Sequence, residues 1–289
     1  MGARGEGKTV DADPRSLADV EDPVQRVRQA NALIDQHQVA ISELSRLRRE
    51  ALDELLSRGM TQTQIAELAG MTRSRVGQLL SSGPRPERGF LGSGPLIMAL
   101  GGKHEAGKDK PGPVVSAESL AAYERLAGLA RTMGLQATYE VVPPPGFVTL
   151  NRTNLIVLCG PRLSPLVAQV LESDISLGFD HDADGWYLAN HETGALHRSP
   201  LDSGDNGDIA YLGRLPRPDG RGTFLYMAGI HAVGTAGAAH YVENNLPELF
   251  RETRTRRFST LIACRFDPDS HQIISSERIA PIYRHEGVS

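Results

Sequence analysis

The run NLIVLCG at residues 154–160 constrains the fold of this chain more than any other segment. Residues 155–159 are uninterruptedly apolar and are bounded by Asn154 and Gly160. A strand with no polar side is buried on both faces, and such strands occur in sheets that are covered on both sides. The run therefore predicts a central strand of an α/β domain.

Strand-like and helix-like segments alternate on either side of this run. Helices are predicted at 116–134, 163–173 and 235–250, and strands at 96–100, 137–142, 208–215, 223–230, 259–266 and 272–284. Residues 175–199 read as an antiparallel meander with Asp-Gly and Thr-Gly turns. Alternation with an antiparallel insertion indicates a Rossmann-like α/β domain with a mixed sheet over residues 96–289.

A stretch rich in Gly, Pro and Ser separates this domain from the N-terminal part of the chain. It predicts a linker at 83–95. Residues 21–82 have helical patterns only, whereas residues 1–20 are small, charged and aperiodic, which predicts disorder. We therefore expect a multidomain chain, with an all-α region at 21–82 joined to the α/β domain.

A long helix is predicted from Asp22, as its N-cap, to Ser57. Val27, Ile34 and Ile41 repeat every seven residues, but His37 and Arg48 interrupt the pattern. This weak heptad allows two interpretations. The segment either forms a dimerising helix, or it forms one or two amphipathic helices that pack on the module following it.

Residues 61–81 predict two short helices joined by a tight turn. Thr61 and Gln64 have the spacing of a capping box, and Thr72 is placed to cap the second helix. Gly70 is suited to a left-handed turn. Five side chains are expected to face inward: Ile65, Leu68, Met71, Val76 and Leu79.

This window resembles the helix-turn-helix of bacterial transcription regulators and of the promoter-reading region of sigma factors. The small Ala66, the turn Gly70, and the buried Val76 and Leu79 lie where that motif has them. The resemblance covers about 21 residues and implies DNA binding by the second helix. An ordinary αα-corner with the same Gly is the alternative.

Seven residues are the candidates for DNA contact: Thr61, Gln62, Thr72, Arg73, Ser74, Arg75 and Gln78. Arg can bind guanine with two hydrogen bonds and Gln can bind adenine, while the residues near helix N-termini suit phosphates. Because one such module makes few phosphate contacts, we expect a homodimer on double-stranded DNA.

Overall charge and cysteine content limit the classes of protein to which this chain can belong. The net charge is −4, yet Leu55–Arg88 has five arginines against two acids, so a basic module is joined to an acidic remainder. The two cysteines lie in apolar runs, which predicts buried thiols. No apolar run is long enough for a membrane span or a signal peptide, which predicts a cytoplasmic protein that does not bind membranes.

Three Gly-rich turns follow predicted strands and indicate a ligand site in the α/β domain. Their candidate ligand contacts are Gly101, Gly102, Lys103 and His104; Gly160, Arg162 and Ser164; and Gly229, His231, Gly234 and Thr235. Ligands of open α/β sheets bind at the carboxyl ends of strands. Thr235 is expected to cap a helix whose free amides suit an anion, so a nucleotide or another phosphorylated molecule is the expected effector.

No catalytic, metal or cofactor site is predicted. The turn at 229–235 lacks the lysine of a P-loop, and no turn has the G-x-G-x-x-G spacing. Asp180, Asp182 and Asp184 fit a hairpin turn better than a calcium loop, and Asp202, Asp205 and Asp208 are read as a solvated loop. His231 is either a ligand contact, a general acid or base, or a residue bonded to nearby backbone.

Three functions are consistent with these patterns. The chain is a one-component regulator that senses a small molecule, an enzyme on nucleotides or NAD-like substrates with a DNA-binding appendage, or a structural DNA-associated protein with an assembly domain. The absence of a recognisable catalytic set favours the regulator over the enzyme.

Overall fold

The computed structural model describes residues 14–82, 85–105, 107, 109 and 112–285. A 3₁₀ turn at Pro14–Asp19 begins the described part and contacts the first long helix. These residues belong to the segment that the sequence predicts to be disordered, and residues 1–13 lie outside the described residues. Among the described residues, no helix combines the length and the apolar character needed to cross a membrane.

The described residues up to 91 are mainly helical. Their helices are α1 (Pro23–Ser57), α2 (Gln62–Leu68), α3 (Arg73–Ser82) and α4 (Arg88–Leu91). Asp22 caps α1 as expected, because its carboxylate accepts the amide of Val24 at 3.0 Å. The short α4 lies inside the predicted linker, of which residues 83–84 are not described.

The remaining residues alternate between strands and helices. The strands are β1 (Leu96–Gly101), β2 (Lys103–His104), β3 (Pro113–Val114), β4 (Ala137–Val142), β5 (Leu155–Leu158), β6 (Leu177–Asp182), β7 (Gly185–Asn190), β8 (Ala195–Arg198), β9 (Gly207–Pro216), β10 (Thr223–Gly229), β11 (Phe258–Phe266), β12 (Ile273–Arg278) and β13 (Tyr283–Arg284). The helices are α5 (Ala117–Thr132), α6 (Pro165–Leu171) and α7 (Ala232–Thr253).

The main sheet is mixed and has the order β12-β11-β9-β10-β5-β1-β4, with β13 paired to β11. Strands β4, β1, β5 and β10 run parallel, whereas β9, β11 and β12 join antiparallel. The apolar run 154–160 supplies β5, which lies between β1 and β10 and has four fully buried residues. The predicted α/β fold with a mixed sheet is thereby confirmed.

Each face of the main sheet is covered by its own layer. On one face, α5 and α7 pack over a core that includes Leu126, Met227 and Val242. On the other face, α6 and the small antiparallel sheet β6-β7-β8 pack over Val157 and Tyr211. The residues that end the parallel strands therefore lie between two layers, at one edge of the sheet.

The C-terminal half of helix α1 packs against other parts of the chain. Leu52 is buried with Ile65 and Val76 of the two short helices. Nearer the start of α1, Arg46 lies over the ring of Phe250 in α7, with its guanidinium carbon 5.9 Å from the ring centroid. The helical N-terminal part thus contacts both the short helices and the α/β part.

Candidate functional site

The carboxyl ends of β1, β5 and β10 meet in one cleft of about 40 Å³. Seven of the residues predicted to contact a ligand line it: Gly101, Lys103, Gly160, Arg162, Gly229, His231 and Thr235. The cleft lies beside the central strand β1, where the chain crosses from β4 on one side to β5 on the other. Such a reversal of strand order is where open α/β sheets bind ligands.

Four other predicted residues do not line this cleft. His104 lies on the exposed β2–β3 hairpin, and Gly102 donates its amide to the carbonyl of Val142 at 2.9 Å. Ser164 is fully buried and donates its hydroxyl to the carbonyl of Gly146 at 2.7 Å. Gly234 lies inside α7. These residues shape the turns rather than face the cleft.

The turn between β10 and α7 differs from its prediction. Helix α7 begins at Ala232 with His231 as its N-cap, so Thr235 lies inside the helix and does not cap it. The hydroxyl of Thr235 instead accepts the amide of Gly229 at 3.0 Å. A Cβ atom on Gly229 would lie 2.2 Å from the carbonyl oxygen of His231, so this tight turn requires glycine.

Asp208 occupies the N-terminus of α7. Its Oδ2 accepts the amides of His231 at 2.8 Å and Gly234 at 2.9 Å. The side chain is fully buried on β9, which corrects its interpretation as part of a solvated loop. Burial raises the pKa of the Asp208 carboxyl above its usual value, and the amide of His231 offsets part of that rise. Two of the amides expected to bind an external anion are thus already used.

Two other backbone amides at the N-terminus of α7 remain available to an external acceptor. Among the described residues, no acceptor takes the amides of Ala232 or Val233. Ala232 also lines the cleft. The helix N-terminus therefore keeps part of its capacity for an anion, with Asp208 reducing the positive potential there.

His231 pairs with Asp202, which the sequence predicts only as part of a solvated loop. Its Nε2 lies 2.8 Å from Oδ1 of Asp202, and both side chains are partly exposed. Asp202 belongs to a 3₁₀ turn at Pro200–Ser203, which follows β8. The pair fixes the imidazole at the rim of the cleft. The 29 residues that separate the partners explain why sequence spacing does not show the contact.

The cleft has two cationic side chains. Lys103 and Arg162 are exposed, and neither forms an ion pair with the described residues. An exposed cation can rearrange to meet an anion at little cost. The cleft also contains Cys159, which is buried, and burial raises the pKa of this thiol to about 12.

A second polar cluster has the composition of a catalytic triad but not its geometry. Nε2 of His285 lies 2.9 Å from Oγ of Ser259 and 3.3 Å from Oδ1 of Asp174. In a triad, the two partners bind opposite ring nitrogens, whereas here both meet the same one. The hydroxyl of Tyr211 donates to Asp174 at 2.7 Å; Asp174, Ser259 and Tyr211 are buried, whereas His285 is partly buried. It stabilises the layer contact between β9 and the chain after α6.

The candidate DNA-contacting residues lie on two short, well-capped helices. Thr61 and Gln64 form both bonds of a capping box, and the hydroxyl of Thr72 accepts the amide of Arg75 at 3.1 Å. Gly70 has a φ of 63°, which is the left-handed conformation expected of the turn. The two helices are therefore joined with the local geometry that the sequence predicts.

One face of α3 is buried and the other is exposed. Val76 and Leu79 are buried against α1 and α2, whereas Arg73, Ser74 and Gln78 are exposed. The guanidinium of Arg75 donates to Oε1 of Gln78 at 3.2 Å. The side chain of Arg73 forms no hydrogen bond or ion pair with the described residues. The exposed face thus presents cationic and amide groups together.

Leu68 does not face inward as predicted. It is 76% exposed, because α1 and α3 cover the side of α2 that carries Ile65 and Ala66. In the basic region 55–88, Arg58 pairs with Glu54 of α1, although its side chain stays 67% exposed. Arg46 and Arg49 lie before that region and pair with other acids of α1.

The chain was compared with models of protein families, with curated proteins and with solved structures, and none of them matches it. Its function is therefore inferred from the geometry of the α2–α3 pair and of the cleft.

Proposed function

We propose that this chain is a one-component DNA-binding transcriptional regulator. In this proposal the α2–α3 pair binds double-stranded DNA and the cleft binds a small phosphorylated effector, such as a nucleotide. The observation that carries the proposal is the exposed face of α3, with Arg73, Arg75 and Gln78 on a helix whose opposite face is buried. A DNA-binding role would place the chain in the cytoplasm, as its sequence predicts.

Helix α3 has the size and the chemistry of a recognition helix. Its ten residues make a rod about 15 Å long, which fits the major groove of B-DNA. Arg73 and Gln78 offer the fork and the amide that read guanine and adenine. Thr61, Gln62 and Thr72 lie near helix N-termini, where they are available to phosphates.

Helix α1 supports binding as a homodimer. Val27, Ile34 and Ile41 are each more than half exposed and lie seven residues apart, and Leu44 continues this apolar face with an exposure of 66%. Monomeric proteins seldom leave such a row uncovered, and a second copy of α1 would cover it. Two modules would double the few phosphate contacts that one makes.

The effector site follows from the charge and the size of the cleft. Lys103, Arg162 and the amide of Ala232 supply donors around a space of about 40 Å³. Sites for whole drug-sized ligands are about 300–1,000 Å³, so this space suits only a small anionic group such as phosphate. A larger effector needs room next to the cleft.

Helix α7 connects the proposed effector site with the DNA-binding part. Its N-terminal residues line the cleft, and beyond its C-terminus Arg254 pairs with Glu50 of α1 at 2.7 Å. Arg254 also lies over Phe250, 5.2 Å from the ring centroid. Suppose that α7 can take two arrangements and that the effector binds one of them more tightly. Effector binding would then favour that arrangement and shift α1 together with the α2–α3 pair.

The test is to select binding sites from random duplex DNA with the full chain and to measure affinity by fluorescence anisotropy. We expect sequence-dependent binding that falls steeply with salt. Affinity for the selected site should change when ribose 5-phosphate or a nucleoside monophosphate is added. Binding that is absent, or equal for selected and scrambled duplexes, would remove the regulator proposal.

A catalytic function is the second candidate, and one observation favours it. The His231–Asp202 pair lies at the rim of the cleft, and a carboxylate bonded to one ring nitrogen is the arrangement that orients a histidine general base. Turnover of a nucleoside monophosphate that disappears in His231→Ala but persists in His240→Ala would support an enzyme. Stoichiometric binding without turnover would favour the regulator.

A further inference from the structure

A larger cavity lies next to the cleft. It has a volume of about 450 Å³ and is bounded by the β6–β7 hairpin, α6 and the turn after β5. This volume lies within the usual range for small-ligand sites. Its wall includes Phe179, His181, Trp186 and His191, together with the carboxylate of Glu172.

A single turn of chain separates the cavity from the cleft. Gly160 and Arg162 line the cleft, while Pro161 between them lines the cavity. Consecutive Cα atoms are about 3.8 Å apart, so the two spaces are neighbours. A ligand with an anionic end in the cleft and a larger part in the cavity would have to cross this turn.

Four aromatic side chains line the cavity, and two of them stack on each other. Trp186 is the only tryptophan of the chain and is partly exposed. It stacks on His181, with ring centroids 5.0 Å apart and an angle of 23° between the planes. The side chain of His181 is itself 69% exposed. The pair thus presents flat, accessible ring surface, on which a planar ring can stack.

Glu172 is the acceptor that remains available in this cavity. Asp180 already accepts its neighbour's amide at 2.8 Å and the hydroxyl of Tyr187 at 3.3 Å, and Asp174 belongs to the buried cluster with Tyr211. Glu172 is exposed and has no partner among the described residues. A carboxylate in this position suits the N–H donors of a nitrogen-rich ring.

We propose that the cavity binds the nucleobase of a nucleoside monophosphate whose phosphate occupies the cleft. This inference rests on the proposed effector site. The phosphate meets Lys103 and Arg162, the ribose spans the turn at Pro161, and the base stacks on Trp186 with an edge toward Glu172. The small cleft and the larger cavity together form one two-part site.

The single tryptophan makes the proposal directly measurable. The full chain is titrated with AMP, GMP, adenosine, ribose 5-phosphate and inorganic phosphate, and fluorescence and calorimetry are both recorded. AMP or GMP should quench Trp186, whereas ribose 5-phosphate should bind without quenching. Because stacking of one base on an aromatic side chain is worth about 1–3 kcal/mol, Trp186→Ala should weaken nucleotide binding by about 5- to 150-fold. It should leave ribose 5-phosphate binding unchanged.

A variant that fills the cavity tests nucleobase binding there without removing the Trp186 ring. Ala168 of α6 lines the cavity and is partly exposed, so Ala168→Leu should narrow the space while the helix is kept. It should weaken nucleotide binding but not ribose 5-phosphate binding, and Ala168→Ser is the matched control. Ala168→Leu also keeps the test decisive if Trp186→Ala fails to fold.

The outcomes separate this inference from the proposal on which it rests. Nucleotide binding without quenching, and with unchanged affinity in Trp186→Ala and Ala168→Leu, would overturn the two-part site and leave the effector cleft intact. Failure of every phosphorylated probe to bind would overturn both. Quenching by adenosine alone, with no added affinity from its phosphate, would place the ligand in the cavity only and would contradict the proposed arrangement.

Discussion

Arg254, the residue that follows α7, forms an ion pair with Glu50 of α1, with its Nη1 2.7 Å from Oε1. Arg254 holds this position with a φ of 55°, a conformation that favours glycine. A strained backbone at a contact between two long helices indicates that the contact is maintained by its surroundings. It joins the part of the chain proposed to bind DNA to the part proposed to bind an effector.

We expect Arg254→Gly and Glu50→Gln to be energetically coupled. Arg254→Gly removes the backbone strain, which should raise stability, but it also removes the guanidinium, which should lower it. The two effects therefore oppose each other in the single variant. The double-mutant cycle isolates the pair, and we expect about 0.5–1 kcal/mol because both side chains are partly exposed. Urea denaturation of the four proteins measures this. Fully additive changes would show that the pair carries no coupling.

The exposed face of α3 gives the second prediction. Arg73→Ala and Gln78→Ala should each weaken binding to the selected DNA site by about 1–3 kcal/mol and should relax the base preference at one position. Arg75→Ala should have a smaller effect of the same kind, because it removes the donor that orients Gln78.

The matched control is Arg131→Ala, which removes one exposed arginine at the end of α5, far along the chain from α3. It should leave the affinity and the base preference unchanged. Equal behaviour of Arg73→Ala and Arg131→Ala in fluorescence anisotropy would show that α3 does not read DNA.

Asp208 gives a prediction about stability. Asp208→Ala leaves the amides of His231 and Gly234 without an acceptor at a buried helix end, which should cost about 1–3 kcal/mol. Asp208→Asn keeps an acceptor oxygen and should cost less. The free energy of unfolding in urea distinguishes them, and a larger loss in the Asn variant would contradict the capping role.

The contributions of Asp208 and Asp174 to the stability of the fold should change with pH in opposite directions. Burial raises the pKa of Asp208, so its contribution to stability is present below the usual value of 3.8 and is lost as the pH rises through the raised pKa. For Asp174, burial acts against the charge, but hydrogen bonds with His285 and Tyr211 outweigh it and hold the pKa at about 2. Its contribution is present above 3.8 and is lost as the pH falls toward 2.

The Asp174 contribution amounts to about 2 kcal/mol at neutral pH, since one pKa unit corresponds to about 1.4 kcal/mol. Thermal unfolding between pH 5 and pH 2 should show a steeper loss of stability in the wild type than in Asp174→Asn. Parallel curves for the two proteins would show that Asp174 is not held in its charged form.

Local rules predict much of this structure. The capping residues Thr61 and Thr72, the turn at Gly70 and the fully apolar strand β5 each depend on neighbours in sequence, so pattern suffices. The gathering of Gly101, Gly160 and Gly229 at one sheet edge follows from parallel strands. The observed ends of strands and helices differ from the predicted ends by a few residues, as they do for α7. Close contacts in the folded chain, rather than residue propensity, determine where these elements end.

Long-range contacts explain what the sequence does not show. A charged residue at the start of a strand resembles a surface residue, and only the position of α7 makes Asp208 a buried cap. The pairing of Asp202 with His231 depends on where the 3₁₀ turn lies. The aromatic cavity depends on how the β6–β7 hairpin packs beside α6, and a lone Trp186 in a hairpin has no sequence signature.

The burial of both cysteines limits their reactivity. Burial raises the pKa of both Cys159 and Cys264 to about 12. A thiol with a raised pKa is largely protonated at neutral pH, and the thiolate is the nucleophile that attacks oxidants and disulfides. Neither cysteine is therefore expected to act as a redox-sensitive group in the folded chain.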